Sequence, residues 1–334
     1  MSKERFLVSD IGGTNIRIAT FERDPRLREN EQSFRLNPKT NKPYGVVEAI
    51  EEYCQTHSVK VTAACLGIAG RVQNQTVKIT NRPDVIRGSE IAALLNINPK
   101  FVLLVNDMPP HLAAVDRLSA AELITLKHGH TDDGGRAILM PGTGVGTGGA
   151  VLVGGKHYVP FPSEGGHIDF SPRDEQQEQL LHYLKPLSAA AGVKNVSNEF
   201  VFCGEGIRRI FAFITGATVI DTSIPKSEEI TSAVAAGGLM LDDPRRKTID
   251  LYLRVLGAAA GNLALMFAAT GGIFLGGSIC LTLRNELTSP NFVDAFVNSG
   301  PPAHRPLLDE IAVKLINYKD SGLLGAGALA LAID

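Results

Sequence analysis

The sequence predicts a two-domain α/β protein, and three observations carry that prediction. Its 334 residues exceed what one ordinary hydrophobic core organises, which favours division into two domains. Short strand-like runs alternate with helical patterns in the first third of the chain, the alternation of an α/β layer. A unit of strand, glycine turn and strand then occurs twice, at residues 6–21 and again at 137–153.

Taken in order, residues 6–8, 16–21, 63–68, 77–80 and 101–105 are apolar runs that read as strands. Helical patterns at 45–57 and 89–95 lie between them. The charged, proline-containing stretch 23–43 reads as a solvated surface loop. A second series starts with strands at 137–139 and 150–153 and passes into helix-rich sequence over 175–184, 199–214 and 227–241. The final stretch, 321–331, reads as a small-residue helix able to pack tightly against a neighbour.

Composition narrows the function classes. The formal net charge of -2 and pI near 6.5 supply no basic field for nucleic acid or an anionic membrane, so small molecules are the expected partners. The four cysteines, Cys54, Cys65, Cys203 and Cys280, form no CxxC pair and are expected to be reduced thiols, mostly buried. The charged Met-Ser-Lys-Glu-Arg start runs into the first strand without a signal-peptide pattern, which points to the cytoplasm. Residues 255–283 contain no charge and are long enough to span a bilayer. Asn262 and the Gly271-Gly272 pair interrupt them, however, and favour a buried helix followed by a buried parallel strand.

The chemistry concentrates in turns. Between Val8 and Ile16 the chain places an aspartate, two glycines, a threonine and an asparagine, more polar residues than a hairpin needs. Pro141-Gly-Thr-Gly-Val-Gly-Thr-Gly-Gly149 repeats the design, and two such turns could present backbone N–H groups to a polyanion. Asn106-Asp107 follows an apolar run, at the strand end where parallel sheets bind ligands; Asp107 reads either as a catalytic group or as the cap of a helix starting near His111. In Ser163-Glu-Gly-Gly-His-Ile-Asp-Phe-Ser-Pro172, Glu164 and His167 offer acceptors and a donor to vicinal hydroxyls, or form a turn with a satisfied histidine. One histidine among carboxylates makes a poor zinc site.

Asp10-Ile-Gly-Gly-Thr-Asn15, Gly67-Ile-Ala-Gly70, Thr80-Asn81-Arg-Pro83, Asn106-Asp107, Pro141-Gly-Thr-Gly-Val-Gly146, Glu164-Gly-Gly-His-Ile-Asp-Phe-Ser-Pro172, Ser197-Asn-Glu199 and Gly271-Gly-Ile-Phe-Leu-Gly-Gly-Ser278 together resemble the bacterial-type glucokinase family. They run in that family's order over nearly the whole chain. The resemblance implies a two-domain actin-like (RNase H-like) sugar kinase fold with an interdomain cleft, in which residues 1–109 and 318–334 form a small α/β domain and 110–317 a large one. It implies transfer of the γ-phosphoryl group of ATP to the 6-hydroxyl of glucose. A kinase of another hexose and a non-catalytic sugar sensor are the alternatives.

Carried over residue by residue, the resemblance makes Asp107 the catalytic base, and Asn106, Asp107, Glu164, His167 and Glu199 the sugar-binding groups. The phosphates would lie against Ser9, Asp10, Ile11, Gly12, Gly13, Thr14 and Asn15, and against Gly142, Thr143 and Gly144. Gly276 and Gly277 would pass near the adenosine end. Asp10 would hold Mg²⁺ through water, since that ion keeps much of its hydration. ATP as phosphoryl donor follows from the resemblance alone, because backbone amides grip phosphate without reading a base. The expected assembly is a homodimer binding glucose and ATP, with neither nucleic acid nor membrane as partner. The sequence departs from the family pattern at Ser9, at Asp84 and in Met108-Pro-Pro-His111. The cysteine-rich zinc motif of the related repressor/ORF/kinase family is absent, and the phosphate motif begins too near Met1 for a DNA-binding module ahead of it.

Overall fold

The computed structural model describes all residues except 1–3, 14, 39, 80, 81, 83, 219 and 334. Thr14, and Thr80, Asn81 and Pro83 of the third motif, therefore lie outside the described residues. The chain divides into two compact units. One contains the residues up to Ser119, Tyr158–Pro162 and those from Tyr318 onward; the other contains Ala120–His157 and Ser163–Asn317.

The chain opens with β1 (Phe6–Ile11), β2 (Ile16–Phe21), β3 (Glu29–Phe34), α1 (Val46–His57) and β4 (Ala63–Ile68). A small antiparallel sheet of β5 (Val72–Gln73), β6 (Thr76–Lys78) and β7 (Val85–Arg87) follows, then α2 (Gly88–Leu95), β8 (Val102–Asn106) and α3 (Met108–Ala114). The main sheet has the order β3-β2-β1-β4-β8, with β1, β4 and β8 parallel. Period-two alternation assigns its faces: Leu7 and Ile11 join Ile50 and Tyr53 of α1 in one core, while Phe6 and Val8 face the other way. β4 is buried along its whole length, which is why it reads as a continuous apolar run. β3 corrects the expectation of a loop over 23–43. It is the edge strand, paired only with β2 and largely exposed, so its sequence, Glu-Asn-Glu-Gln-Ser-Phe, carries no hydrophobic alternation.

The chain continues through β9 (Leu123–Lys127), β10 (Arg136–Pro141), β11 (Val145–Val153), β12 (His157–Ser163), α4 (Glu175–Ala190), α5 (Asn198–Phe202), α6 (Gly204–Thr215), α7 (Ser227–Ala235) and α8 (Pro244–Met266). After β13 (Ile273–Leu275), α9 (Gly277–Thr282), α10 (Pro290–Val297), α11 (Arg305–Glu310) and β14 (Val313–Ile316), α12 (Ser321–Ala330) returns to the first unit. The second unit's sheet carries the consecutive order β11-β10-β13-β14-β9. Residues 255–283 are a buried helix end, a three-residue buried strand and a short helix, so their lack of charge reflects burial in the core formed around α8. α12 lays Leu323, Ala326 and Ala330 against Phe6, Val8 and Phe21. A methyl group on its Gly325 would overlap the Pro110 carbonyl oxygen, so glycine there is what lets α12 approach α3.

Three boundaries differ from the sequence reading. β11 starts at Val145, because Gly146 and Gly148 pair with Met140 and Ile138; the pairing to a buried strand overrides the low strand preference of glycine. Residues 199–214 form two helices, broken at Cys203, whose extended backbone caps α6. The helix begun at Ser227 ends at Ala235, ahead of Gly237 and Gly238 with φ of 75° and 80°.

Candidate active site

Asp10 lies near the carboxyl end of β1, opposite Arg17 on β2. The pair is a consequence of the turn: Gly12 N–H donates to Asn15 O at 3.0 Å, and this closure fixes the register. Arg17 Nη1 stands 3.8 Å from Asp10 Oδ2, while Arg17 Nη2 donates to Asp320 Oδ1 and, at 3.0 Å, to Glu31 Oε1. Ser9 and Ile11 are fully buried ladder residues paired with β2 and β4. Their side chains face the core, so only their backbone is left for the expected phosphate contact, and they hold Asp10 between them. Asn15 Oδ1 is buried and has no hydrogen-bond partner among the described residues, an acceptor set beside the turn.

Asn106 ends β8, two strands from Asp10 along the same parallel edge. Its Oδ1 accepts from Met108 N at 3.0 Å and its Nδ2 donates to Gly70 O at 3.1 Å. Asn106 thus ties the Gly67-Ile-Ala-Gly70 loop to the start of α3. Asp107 occupies the N-cap position of α3 with helical φ and ψ and makes no side-chain cap hydrogen bond. The capping reading of Asp107 is corrected accordingly: the side chain that serves the helix start is that of Asn106. Behind these residues, His111 Nδ1 is hydrogen-bonded to Ser321 Oγ at 2.8 Å. Burial pushes the His111 imidazole below its ordinary value, with Asp10 opposing and Arg17 adding to the fall.

In the second unit, Gly142 N–H donates to Gly144 O at 2.8 Å, so the tip of the β10–β11 turn is Gly142-Thr143-Gly144. A side chain at Gly142 would meet nothing within 4 Å, and one at Gly12 only Asn15 O at 3.8 Å. Packing among the described residues requires glycine at neither place. In the first unit, the open space at Gly12, the Asn15 acceptor and the Asp10 carboxylate suit a hydrated Mg²⁺ ion accompanying a phosphate. Among the described residues no cluster of three or more His, Cys, Asp or Glu forms a cage for a dehydrated metal. Gly276 and Gly277 have a packing reason of their own. Gly277 has φ of 87°, and a Cβ there would press on the Pro141 carbonyl oxygen, while one on Gly276 would meet Met140 Cε at 2.8 Å.

Glu164, His167 and Glu199, which the resemblance names as sugar-binding groups, lie close together. His167 Nε2 is 3.9 Å from Glu164 Oε2 and Nδ1 is 4.0 Å from Glu199 Oε1. Both separations exceed hydrogen-bond length, and the side chains are 61%, 66% and 36% exposed for His167, Glu164 and Glu199 respectively. The remaining Glu199 oxygen, Oε2, accepts from Val145 N at 2.9 Å. Sequence reasoning missed Arg17, Asp320, His111, Ser321 and Val145. Only Arg17 had a signal: a four-residue turn over 12–15 sets it across from Asp10.

The sequence model of the glucokinase family matches residues 7–333. A glucokinase of Xanthomonas euvesicatoria pv. vesicatoria is 30% identical over 338 residues, covering 97% of this chain and 94% of the relative. The crystal structure of a glucokinase from an Antarctic psychrotroph superposes with a TM-score of 0.79 at 25% identity, over 98% of this chain and 99% of that one. The fold also matches a ROK family glucokinase from Streptomyces griseus, solved with glucose and AMPPNP, with a TM-score of 0.63 at 19% identity over 98% of this chain and 99% of that one. By its match over nearly its whole length, the chain belongs to the glucokinase family.

Proposed function

We propose that the chain transfers the γ-phosphoryl group of ATP to the 6-hydroxyl of glucose, giving glucose 6-phosphate and ADP. The observation that carries this reading is the convergence of the Glu164 carboxylate, from the same turn as His167, and the Glu199 carboxylate, from a separate stretch of sequence, to within 4.0 Å of the His167 imidazole without a side-chain hydrogen bond to it. Exposed polar groups so arranged suit a ligand that supplies several hydroxyls. Asn106, at the strand end beside Asp107, is a further candidate for a sugar hydroxyl, since an amide has hydrogen-bonding capacity beyond the two bonds it makes.

Phosphoryl transfer has a loose transition state, so positioning and charge neutralisation do most of the catalytic work. Asp107 orients the 6-hydroxyl and takes its proton as the oxygen bonds to the γ-phosphorus and the bond to the ADP oxygen breaks. The turn amides of Thr143 and Gly144 and the space over Gly12 and Gly142 receive the phosphates. Asp10 would hold Mg²⁺ through water, and the ion would supply neutralisation of phosphate charge. Arg17 and the α12 start hold the Asp10 carboxylate in place. The assembly proposed is a cytoplasmic homodimer acting on small molecules, supported on the last point by the near-neutral charge of -2; light scattering checks the dimer.

Product formation by the purified protein over a panel of hexoses and phosphoryl donors tests the activity. Glucose with ATP is expected to give the highest kcat/KM. Turnover confined to another hexose would reassign the substrate, and sugar binding without turnover would make the chain a sensor.

A further inference from the structure

The phosphate turn and the sugar-binding turn of the second unit meet on one short helix. α5 is joined to the sugar side by Asn198 N–H, which donates to Ile168 O at 2.9 Å, and by a bridge between Asp169 and Ser197. It is joined to the phosphate side by Glu199, whose Oε2 accepts from Val145 N at 2.9 Å. Gly204, the first residue of α6, donates its N–H to Gly142 O at 2.8 Å, so α5 and the start of α6 hold the phosphate turn at its two ends. A Cβ on Gly166 of the sugar turn would overlap the Val145 carbonyl oxygen. Most telling is Gly144: a Cβ there would lie 2.7 Å from Glu199 Oε2, and its neighbours within 4 Å are all Glu199 atoms.

From this contact we infer that Glu199 couples the two substrate sites, acting as a positioning residue for the phosphate turn as well as a sugar ligand. The inference rests on the glucokinase reading, in which Oε1 faces a sugar hydroxyl. A hydroxyl donating to Oε1 fixes the plane of the carboxylate, and Oε2 then holds Val145 N–H and the adjoining Thr143 and Gly144 amides in the orientation that receives phosphate. Linkage makes the effect reciprocal: phosphate seated on the turn fixes Glu199 for the sugar. The coupling path is contiguous, running through one side chain and one turn.

Calorimetric titration of glucose, with and without a non-hydrolysable ATP analogue and Mg²⁺, tests this. In the parent the analogue should tighten glucose binding by about fivefold or more. Gly144→Ala lies in the phosphate turn, and its backbone is outside the left-handed region, so alanine takes the same φ and ψ. Its methyl displaces the Glu199 carboxylate, which should weaken glucose binding about tenfold without nucleotide and bring the coupling factor near one. Glu199→Gln retains an acceptor for Val145 N and should keep most of the coupling. Glu199→Ala should lose it and also weaken the analogue when no sugar is present, a readout that stands even if Gly144→Ala fails to fold. Unchanged glucose affinity in folded Gly144→Ala, or no coupling in the parent, overturns the inference. Unchanged glucose affinity in Glu199→Ala instead removes Glu199 from the sugar site, and the underlying reading with it.

Discussion

Asp107 illustrates how one carboxylate is assigned between structure and chemistry. An aspartate that served only to start α3 would make the cap hydrogen bond, and here that service falls to Asn106 Oδ1 on Met108 N. Asparagine caps a helix about as well as aspartate, so Asp107→Asn should leave the fold and the glucose affinity nearly unchanged. Loss of the proton acceptor should lower kcat by about 10²–10⁴. Steady-state kinetics together with glucose titration checks this, and a kcat within about tenfold of the parent would remove Asp107 as base. Glu164 and His167 belong to the same scale. Both are exposed and neither packs in a core, so Glu164→Ala and His167→Ala should raise the glucose KM by roughly one to two orders of magnitude. The ATP KM should stay near its parent value, and equal effects on both substrates would return the pair to a structural role.

At the scale of elements, the two glycine turns have one design and unequal surroundings. The Gly142 position is open in the described structure, so Gly142→Val should fold normally and lose nucleotide binding, because the side chain fills the space proposed for the phosphates. Calorimetry with an ATP analogue decides it, since unchanged affinity in a folded variant would place the phosphates elsewhere. α12 shows the opposite use of glycine. At Gly325 a methyl group would overlap backbone of α3, so Gly325→Ala should destabilise the first unit by about 1–3 kcal/mol or more, measured by urea unfolding. The helix is also placed to shape Asp10: a Cβ on Gly322 would lie 2.9 Å from the Asp10 carboxylate carbon. Small residues at 322 and 325, legible in the sequence only as a helix able to pack closely, thus acquire particular neighbours.

For the molecule as a whole, burial governs the cysteines. Burial pushes the Cys65 and Cys280 thiols up to about 12, and raises Cys203 as well. A thiol raised in the folded state favours folding while it stays protonated. That contribution is full below the unfolded thiol value near 8.5 and is lost as pH rises towards 12. The melting temperature should therefore fall on going from about pH 9 to pH 11. Thiol titration at pH 8 should find Cys54, the half-buried one, reacting ahead of the others, with all four reacting quickly only in denaturant. Rapid reaction of Cys65 in the native protein would contradict the burial.

The sequence by itself determined the α/β class and the two glycine turns, because those features are written in local period and composition. Asp10, Asn106-Asp107, Glu164, His167 and Glu199 are named as candidates through the resemblance to the glucokinase family. The sequence could not show β3, since a solvated edge strand has no apolar face to announce it. Nor could it show that Asn106 replaces Asp107 at the helix start, that Ser9 and Ile11 turn inward, or which glycines face open space. Glu199 and Val145 lie 54 residues apart, and the bond between them exists only because α5 packs onto β11. Tertiary structure decided these matters for one physical reason: a hydrogen-bond partner or an adjoining void is a property of neighbours in space, and neighbours distant along the chain leave no periodic signal in it.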